Sequence, residues 1–300
     1  QTPVERVCNA APFFVTRNCD PDRLKKEFQE KAISCVPVVN GKKEIVDLLF
    51  WEDVFQGDRG KKPVRRIGIP VVIMAGGQGT RLDPFTRILP KPLIPIGDKT
   101  VVEIIIDRFL EFGVKKFYLT VNHKSRIIKS YFEELNPPYA IEYVNEEMPL
   151  GTAGSLKLLY PKVRSSLLVT NCDVLVKIDY GELVEHHQKN RNDLTLVASL
   201  RNYHIPYGIC EIANGGTLTK ITEKPEYSFL VNTGMYVIRK EVLNHIPSRQ
   251  MFHITQLIEK IKETGGKIGV FPIGEEAWLD TGEWAEYKKA LEKIQGTLEP

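Results

Sequence analysis

Between Ile69 and Gln188 the chain alternates two periods, and that alternation limits what it can fold into. Ile69–Ala75 is a near-continuous apolar run that ends in glycines, the pattern of a parallel strand buried on both faces. Thr100–Phe112 places apolar residues at helical spacing, and Lys116–Val121 returns to strand. Ser125–Leu135 (helix), Ala140–Val144 (strand), Thr152–Leu159 (helix), Leu167–Thr170 (strand) and Tyr180–Gln188 (helix) continue the order. A βαβα succession predicts an α/β fold with a doubly wound, mostly parallel sheet. The second half is richer in strands, expected at Leu194–Leu200, Tyr207–Ile212, Thr217–Thr222 and Leu230–Arg239. A helix at His253–Glu263, a strand at Lys267–Pro272 and a helix at Trp284–Ile294 complete the expectation.

A length of 300 residues suggests about two domains at roughly 150 residues each. The break falls at Gln56–Arg66, which is polar, charged and interrupted by Gly and Pro. It reads as a linker with solvated cations. The expected division is 1–57, a linker at 58–67 and a main domain at 68–300. The net charge is +3, and the whole excess lies before residue 67. A nucleic-acid binder carries a stronger basic footprint. No run of about 18 apolar residues suggests a membrane span, and no long apolar run follows Gln1–Arg6 as in a secretory signal. Cysteines at 8, 19, 35, 172 and 210 show no C-x-x-C spacing. These features lead us to expect a reducing, cytoplasmic setting without a disulfide framework. With Gln in first place, a processed or truncated chain is expected.

The chemistry begins at the end of the first strand. Ala75-Gly76-Gly77-Gln78-Gly79-Thr80 lets the backbone approach phosphate oxygens and present N–H groups to them. It is neither G-x-x-x-x-G-K-[ST] nor G-x-G-x-x-G, because Leu82 occupies the third glycine position. Arg81 and Lys91 bracket the proline-stiffened stretch Asp83–Pro90. They form a clamp suited to a triphosphate, Arg giving planar bidentate contacts and Lys a point charge. A solvated loop with surface cations is the other reading of the same residues.

The stretch G-G-x-G-T-R-L-x-P-x-T, followed by P-K-P-L-x-P, resembles the signature of the sugar-1-phosphate nucleotidyltransferases, and the likeness extends over about residues 69–295. The resemblance implies a Rossmann-like sheet and an in-line attack by a sugar-1-phosphate oxygen on the α-phosphorus of a nucleoside triphosphate. The nucleophile is already anionic, so charge neutralisation and positioning suffice and no general base is needed. By the same resemblance, Arg81, Lys91 and Asp173 are catalytic. Ala75, Gly76, Gly77, Gly79, Thr80, Glu146, Gly151 and Thr152 bind the nucleotide. Asp173 and Asp280 match the two aspartates that hold Mg²⁺. Glu223 and Lys224 match an E-K-P motif for the sugar and its phosphate, and Gly208 and Asn232 match further sugar contacts.

Glu146 stands five residues before Gly151, where uracil- and thymine-specific relatives typically carry Gln. Uracil offers a donor flanked by acceptors, which suits an amide. Guanine offers two adjacent donors, N1–H and N2–H, which suit a carboxylate. The expected donor is therefore GTP, and Pro149–Gly154 also resembles the guanylyltransferase branch.

In the N-terminal segment, Ile33–Val39, Lys43–Leu49 and Trp51–Phe55 resemble one CBS motif, a small α+β unit that works in pairs and often binds an adenine nucleotide. The second copy is expected upstream of Gln1 or in another subunit, and a homo-oligomer is expected. Asp53 matches the ribose-binding acid, but Asp47 and Phe50 replace the usual Gly and Ser/Thr, so docking or dimerisation is an equal reading. A CBS motif before a guanylyltransferase-like domain resembles the glucosamine-1-phosphate guanylyltransferases of legionaminic acid pathways. Mannose 1-phosphate is the competing acceptor. A uridylyl- or cytidylyltransferase is disfavoured by Glu146. A glycosyltransferase is disfavoured by Asp-Val-Leu at 173–175 in place of D-x-D. A nucleotide-sensing regulator with a disused site is disfavoured because Arg81, Lys91, Asp173 and Asp280 are all present.

Overall fold

The computed structural model describes residues 11–20, 23–25, 27–28, 33, 35–50, 54, 65–284, 286–288 and 291. The expected ribose acid Asp53, most of the 51–55 helix and the linker core at 56–64 lie outside them, as does most of the expected 284–294 helix.

The larger of two compact units comprises residues 62–199, 232–272 and 276–300. Its framework is a seven-stranded sheet. The strands are β1 (Val71–Met74), β2 (Lys116–Val121), β3 (Ala140–Asn145), β4 (Leu167–Asn171), β5 (Leu194–His204), β6 (Glu226–Ile238) and β7 (Ile268–Ile273). Their spatial order is β7-β5-β6-β4-β1-β2-β3. β1 runs parallel to both β2 and β4, and β2 runs parallel to β3. β6 joins β4 antiparallel, with Met235 opposite Thr170. The fold is thus the expected mixed α/β type with a mostly parallel central sheet.

Alternation along the strands sends side chains to two covered faces. Phe117 of β2 packs on Phe109 of α1 (Val101–Glu111), and Phe109 stacks on Tyr180 of α2 (Tyr180–Lys189) with ring centroids 4.4 Å apart. Val72 and Tyr118 belong to a second cluster with Leu156, Leu159, Leu257 and Ile261, the last two on α3 (Ile254–Glu263). Val71, Val72 and Ile73 are fully buried, each worth about 1.5–3 kcal/mol relative to exposure. α1 begins with a capping box. The Glu103 carboxylate accepts the Thr100 N–H at 2.8 Å while the Thr100 hydroxyl oxygen accepts the Glu103 N–H.

One helix differs from expectation. The 152–159 segment is a single α-turn at Gly151–Gly154 followed by a 3₁₀ stretch at Ser155–Leu159. The Ala153 N–H, which has no acceptor within the first turn of a helix, and the Gly154 N–H both donate to Phe252 O at 3.0 Å. The remaining predicted elements of this unit coincide with expectation or differ at their ends by a few residues, the largest shifts being those of β5, which ends at His204, and β6, which begins at Glu226.

The smaller unit gathers residues 1–61, 200–231 and 273–275. Val15–Thr16 runs parallel to Val38–Val39, and Cys35–Val39 pairs antiparallel with Ile45–Phe50. Its core joins Leu24, Phe28 and Val36 to Leu200, so distant segments of sequence share one cluster. A hairpin of Ile209–Ile212 and Leu218–Thr222 belongs to the same unit.

Candidate active site

Chain order and strand order part company at β1. The chain moves outward from β1 to β2 and β3, then returns to the other side of β1 as β4. At such a switch point, loops leaving neighbouring strands diverge and open a crevice at the carboxyl edge. The glycine loop follows β1 there, Asn122 follows β2, Glu146 follows β3 and Asp173 follows β4. These loops line a cleft of about 370 Å³. Gly76, Gly77, Gly79, Thr80, Arg81, Lys91, Glu146, Gly151, Thr152 and Asp173 all border it. Ala75 is buried beneath the loop, and its N–H donates to Thr120 O at 2.9 Å.

Glu146 and Gly76 fit together closely. A β-carbon at Gly76 would stand 2.5 Å from Glu146 Oε1. Any side chain there would push the carboxylate aside. The Glu146 backbone is fixed on both sides, its N–H donating to Val121 O at 2.9 Å and its carbonyl accepting Asn122 Nδ2–H at 2.8 Å. Its Oε2 accepts the Leu150 N–H at 3.3 Å. Burial raises the Glu146 pKa above the ordinary glutamate value, and the Leu150 N–H partly offsets that rise.

The wall formed by Pro149–Thr152 is anchored from another part of the chain. Phe252 N–H donates to Leu150 O at 2.9 Å, and the Thr152 hydroxyl accepts Ile254 N–H at 3.0 Å at the start of α3. The Thr152 side chain therefore also caps a helix that lies about a hundred residues on.

Both cations of the expected clamp are held by carboxylates. Lys91 Nζ donates to Asp173 Oδ2, and this pair is nearly buried, with side chains 12% and 9% exposed. Arg81 Nη1 donates to Glu283 Oε1 at 3.0 Å in an open setting, 58% and 57% exposed. An exposed pair of this kind contributes about 0–1 kcal/mol, so Arg81 is held loosely and Lys91 firmly.

Asp173 and Asp280 are brought together by a short antiparallel pairing across more than a hundred residues. Val174–Val176 pairs with Trp278–Asp280, Val174 opposite Asp280. Thr281 tightens the junction, its N–H and its hydroxyl both donating to Asp173 O at 2.9 Å. Gly282 lies where the groups converge. A β-carbon there would stand 2.9 Å from Asp280 Oδ1 and 3.0 Å from Lys91 Nζ, and would overlap Asp173 Oδ2. Burial, and next the Asp173 carboxylate, raise the Asp280 pKa above the ordinary aspartate value. Hard carboxylate oxygens crowded in this way suit a divalent cation such as Mg²⁺, which is commonly held by one or two carboxylates plus substrate phosphates. Cys172, beside Asp173, is inert. Burial pushes its thiol up to about 12, so it carries no thiolate near neutral pH.

The remaining sequence-derived residues belong partly to the smaller unit and partly to the larger one. Gly208 and Glu223 adjoin each other in the smaller unit, at the open end of the hairpin that pairs Ile209 with Thr222. A β-carbon at Gly208 would meet Glu223 Oε2 at 2.9 Å. Lys224 is exposed in the same turn, with φ of 44°. Asn232 belongs to the larger unit, where its Nδ2–H donates to Tyr236 OH at 2.8 Å and its Oδ1 accepts Gly234 N–H at 3.1 Å. Asn122, Met251, Gly282 and Glu283 are participants that sequence reasoning missed. For Gly282 and Glu283 the one available signal was adjacency to the Asp280 motif. For Asn122 and Met251 there was none.

A glycine loop and strand-end acids at the switch point of an open α/β sheet define a nucleotide-binding α/β protein. Comparison with known proteins narrows the class. Residues 70–297 match the nucleotidyl transferase family, and the chain belongs to that family. It is 30% identical over 225 residues to a putative mannose-1-phosphate guanyltransferase of Sulfolobus acidocaldarius, covering 74% of this chain and 62% of that protein. It is 28% identical over 218 residues to the D-glycero-alpha-D-manno-heptose 1-phosphate guanylyltransferase of Campylobacter jejuni, covering 72% of this chain and 96% of that one. Among solved structures, the HddC protein of Yersinia pseudotuberculosis complexed with GMP-PN superposes with a TM-score of 0.60 at 25% identity, over 75% of this chain and 99% of that one.

Proposed function

We propose that the chain transfers GMP from GTP to a sugar 1-phosphate, glucosamine 1-phosphate in the first instance, releasing pyrophosphate. The observation that carries the choice of base is the carboxylate of Glu146, seated over Gly76 and beside the Pro149–Thr152 wall of the cleft. Two acceptor oxygens on one rigidly mounted residue match the adjacent N1–H and N2–H donors of guanine. The guanylyltransferase names of the Sulfolobus and Campylobacter relatives support the same donor.

In this reading the sugar-phosphate oxygen forms a new bond to the α-phosphorus as the bond to the pyrophosphate leaving group breaks. The chain supplies no base, because the attacking oxygen is already an anion. The glycine-loop N–H groups and Thr80 hold phosphate oxygens, Arg81 binds them as a fork, and Lys91 neutralises the charge that builds on the leaving group. Asp173 and Asp280 would hold magnesium, which supplies further charge neutralisation at the phosphates. Gly208, Glu223 and Lys224, and separately Asn232, are assigned to the sugar phosphate.

The test is pyrophosphate release with Mg²⁺, crossing GTP, UTP, CTP, dTTP and ATP with glucosamine-, N-acetylglucosamine-, glucose- and mannose-1-phosphate. Turnover with GTP and glucosamine 1-phosphate is expected. Preference for another triphosphate overturns the role of Glu146 while keeping the reaction class. Mannose 1-phosphate is the second reading of the acceptor, favoured by the name of the Sulfolobus relative.

A further inference from the structure

The nearly buried ion pair between Lys91 and Asp173 occupies the place where the two aspartates converge. The ammonium stands 3.0 Å from the point where a Gly282 side chain would begin, and Asp280 Oδ1 stands 2.9 Å from the same point. One positive group is thus lodged among two negative ones, in a spot kept clear of side chains by a glycine. We propose that Lys91 is the resident counter-ion of the Asp173–Asp280 pair and holds it against a divalent cation until a phosphate draws the ammonium away. This rests on the nucleotidyltransferase reading above and adds an order of events to it.

A divalent ion seated on Asp173 would face the Lys91 ammonium at short range, where partial burial strengthens the repulsion. The ammonium must leave, and a partly buried ammonium without a partner is costly. Lys91 borders the same cleft as the glycine loop, so an arriving polyphosphate offers a replacement anion without requiring the lysine to reach solvent. Metal and nucleotide then assist each other through one side chain, and such coupling is reciprocal by linkage. Arg81 shows the looser version, parked on Glu283 in an exposed pair that a phosphate can replace at little cost.

The experiment measures Mn²⁺ binding to the full chain by electron paramagnetic resonance, with no nucleotide present. Wild type is compared with Lys91→Met, Lys91→Gln and Lys91→Arg, each checked for native circular dichroism. Lys91→Met and Lys91→Gln are expected to bind Mn²⁺ at least tenfold more tightly than wild type. Lys91→Arg keeps the cation and is expected to stay within about threefold of wild type. Adding Asp280→Asn to Lys91→Met is expected to remove the gain, placing the ion at the aspartate pair. Mn²⁺ affinity equal to or weaker than wild type in both neutral variants overturns the proposal, as does a gain that survives Asp280→Asn. The readout involves no turnover. A failure of the GTP assay therefore strikes the proposed reaction, and a failure here strikes the role of Lys91.

Discussion

Glu146 is a carboxylate that burial makes harder to ionise, yet the guanine contact assigned to it requires the ionised form. Lowering the pH through its raised pKa removes one acceptor from the pair. The KM for GTP is therefore expected to rise as pH falls towards that pKa, beginning above the range of an ordinary glutamate, with the plateau of tight binding on the alkaline side. Glu146→Gln is expected to flatten this limb and lower kcat/KM for GTP by about 10²-fold, since a buried mismatch leaves polar groups unpaired. Steady-state kinetics between pH 4.5 and 8 checks both. Gly76→Ala tests the same contact from the other side. Its β-carbon displaces a carboxylate 2.5 Å away, and a shift of this size at a recognition group costs about 10²-fold in kcat/KM. The thermal midpoint is expected to move little, because the clash is with the end of a side chain and not with backbone.

Elements position these residues, and here the reading of the sequence succeeds and fails for definable reasons. The strand–glycine-loop junction at 71–79 was legible because a buried parallel strand and a phosphate loop both leave local signatures. Asp173 was legible as a strand-end acid. Its closeness to Asp280 came only through the resemblance, since the 174–176 and 278–280 strands are three residues each and carry no period to detect. The 3₁₀ stretch at 155–159 was read as part of a helix because its apolar residues keep helical spacing. The carbonyl of Phe252, far along the chain, accepts the Ala153 and Gly154 N–H groups and anchors the start of this segment, a contact that leaves no local sequence signal. Two element-scale substitutions separate support from chemistry. Thr281→Val removes the hydroxyl that Asp173 O accepts, and is expected to cost about 1 kcal/mol of stability and to lower kcat more than it raises KM. Thr281→Ser is expected to restore kcat. Thr100→Ala removes the capping side chain of α1 for about 1 kcal/mol, with kcat unchanged. Denaturant unfolding and single-substrate kinetics on the three variants decide both points.

At the scale of the molecule, sequence order is a poor guide to what packs with what. The composition break near residue 57 suggests a detachable N-terminal piece, but Leu24, Phe28 and Val36 share their core with Leu200. Deletion of residues 1–61 removes all the described members of that cluster except Leu200, and is expected to leave Leu200 uncovered and to lower the thermal midpoint, read by scanning calorimetry. Acid sensitivity arising at His187 on α2 is a second whole-molecule expectation. Its ring is buried, with Nδ1 2.9 Å from the Thr195 hydroxyl on β5 and Nε2 3.5 Å from Ser166 Oγ. Burial first, then the neighbouring Arg239 and His186 charges, push it down to about 4 from the ordinary 6.5, while Asp193 opposes the shift. The unfolded chain takes up a proton at pH values where the folded one does not. Stability is therefore full above about 6.5 and is lost as pH falls from there towards 4. His187→Gln cannot titrate. It is expected to be less stable than wild type at pH 7.5, through poorer packing, and to lose less on acidification across that window. Thermal midpoints of both proteins at half-unit steps from pH 7.5 to 4 give the comparison, and parallel slopes would assign the acid sensitivity to other groups.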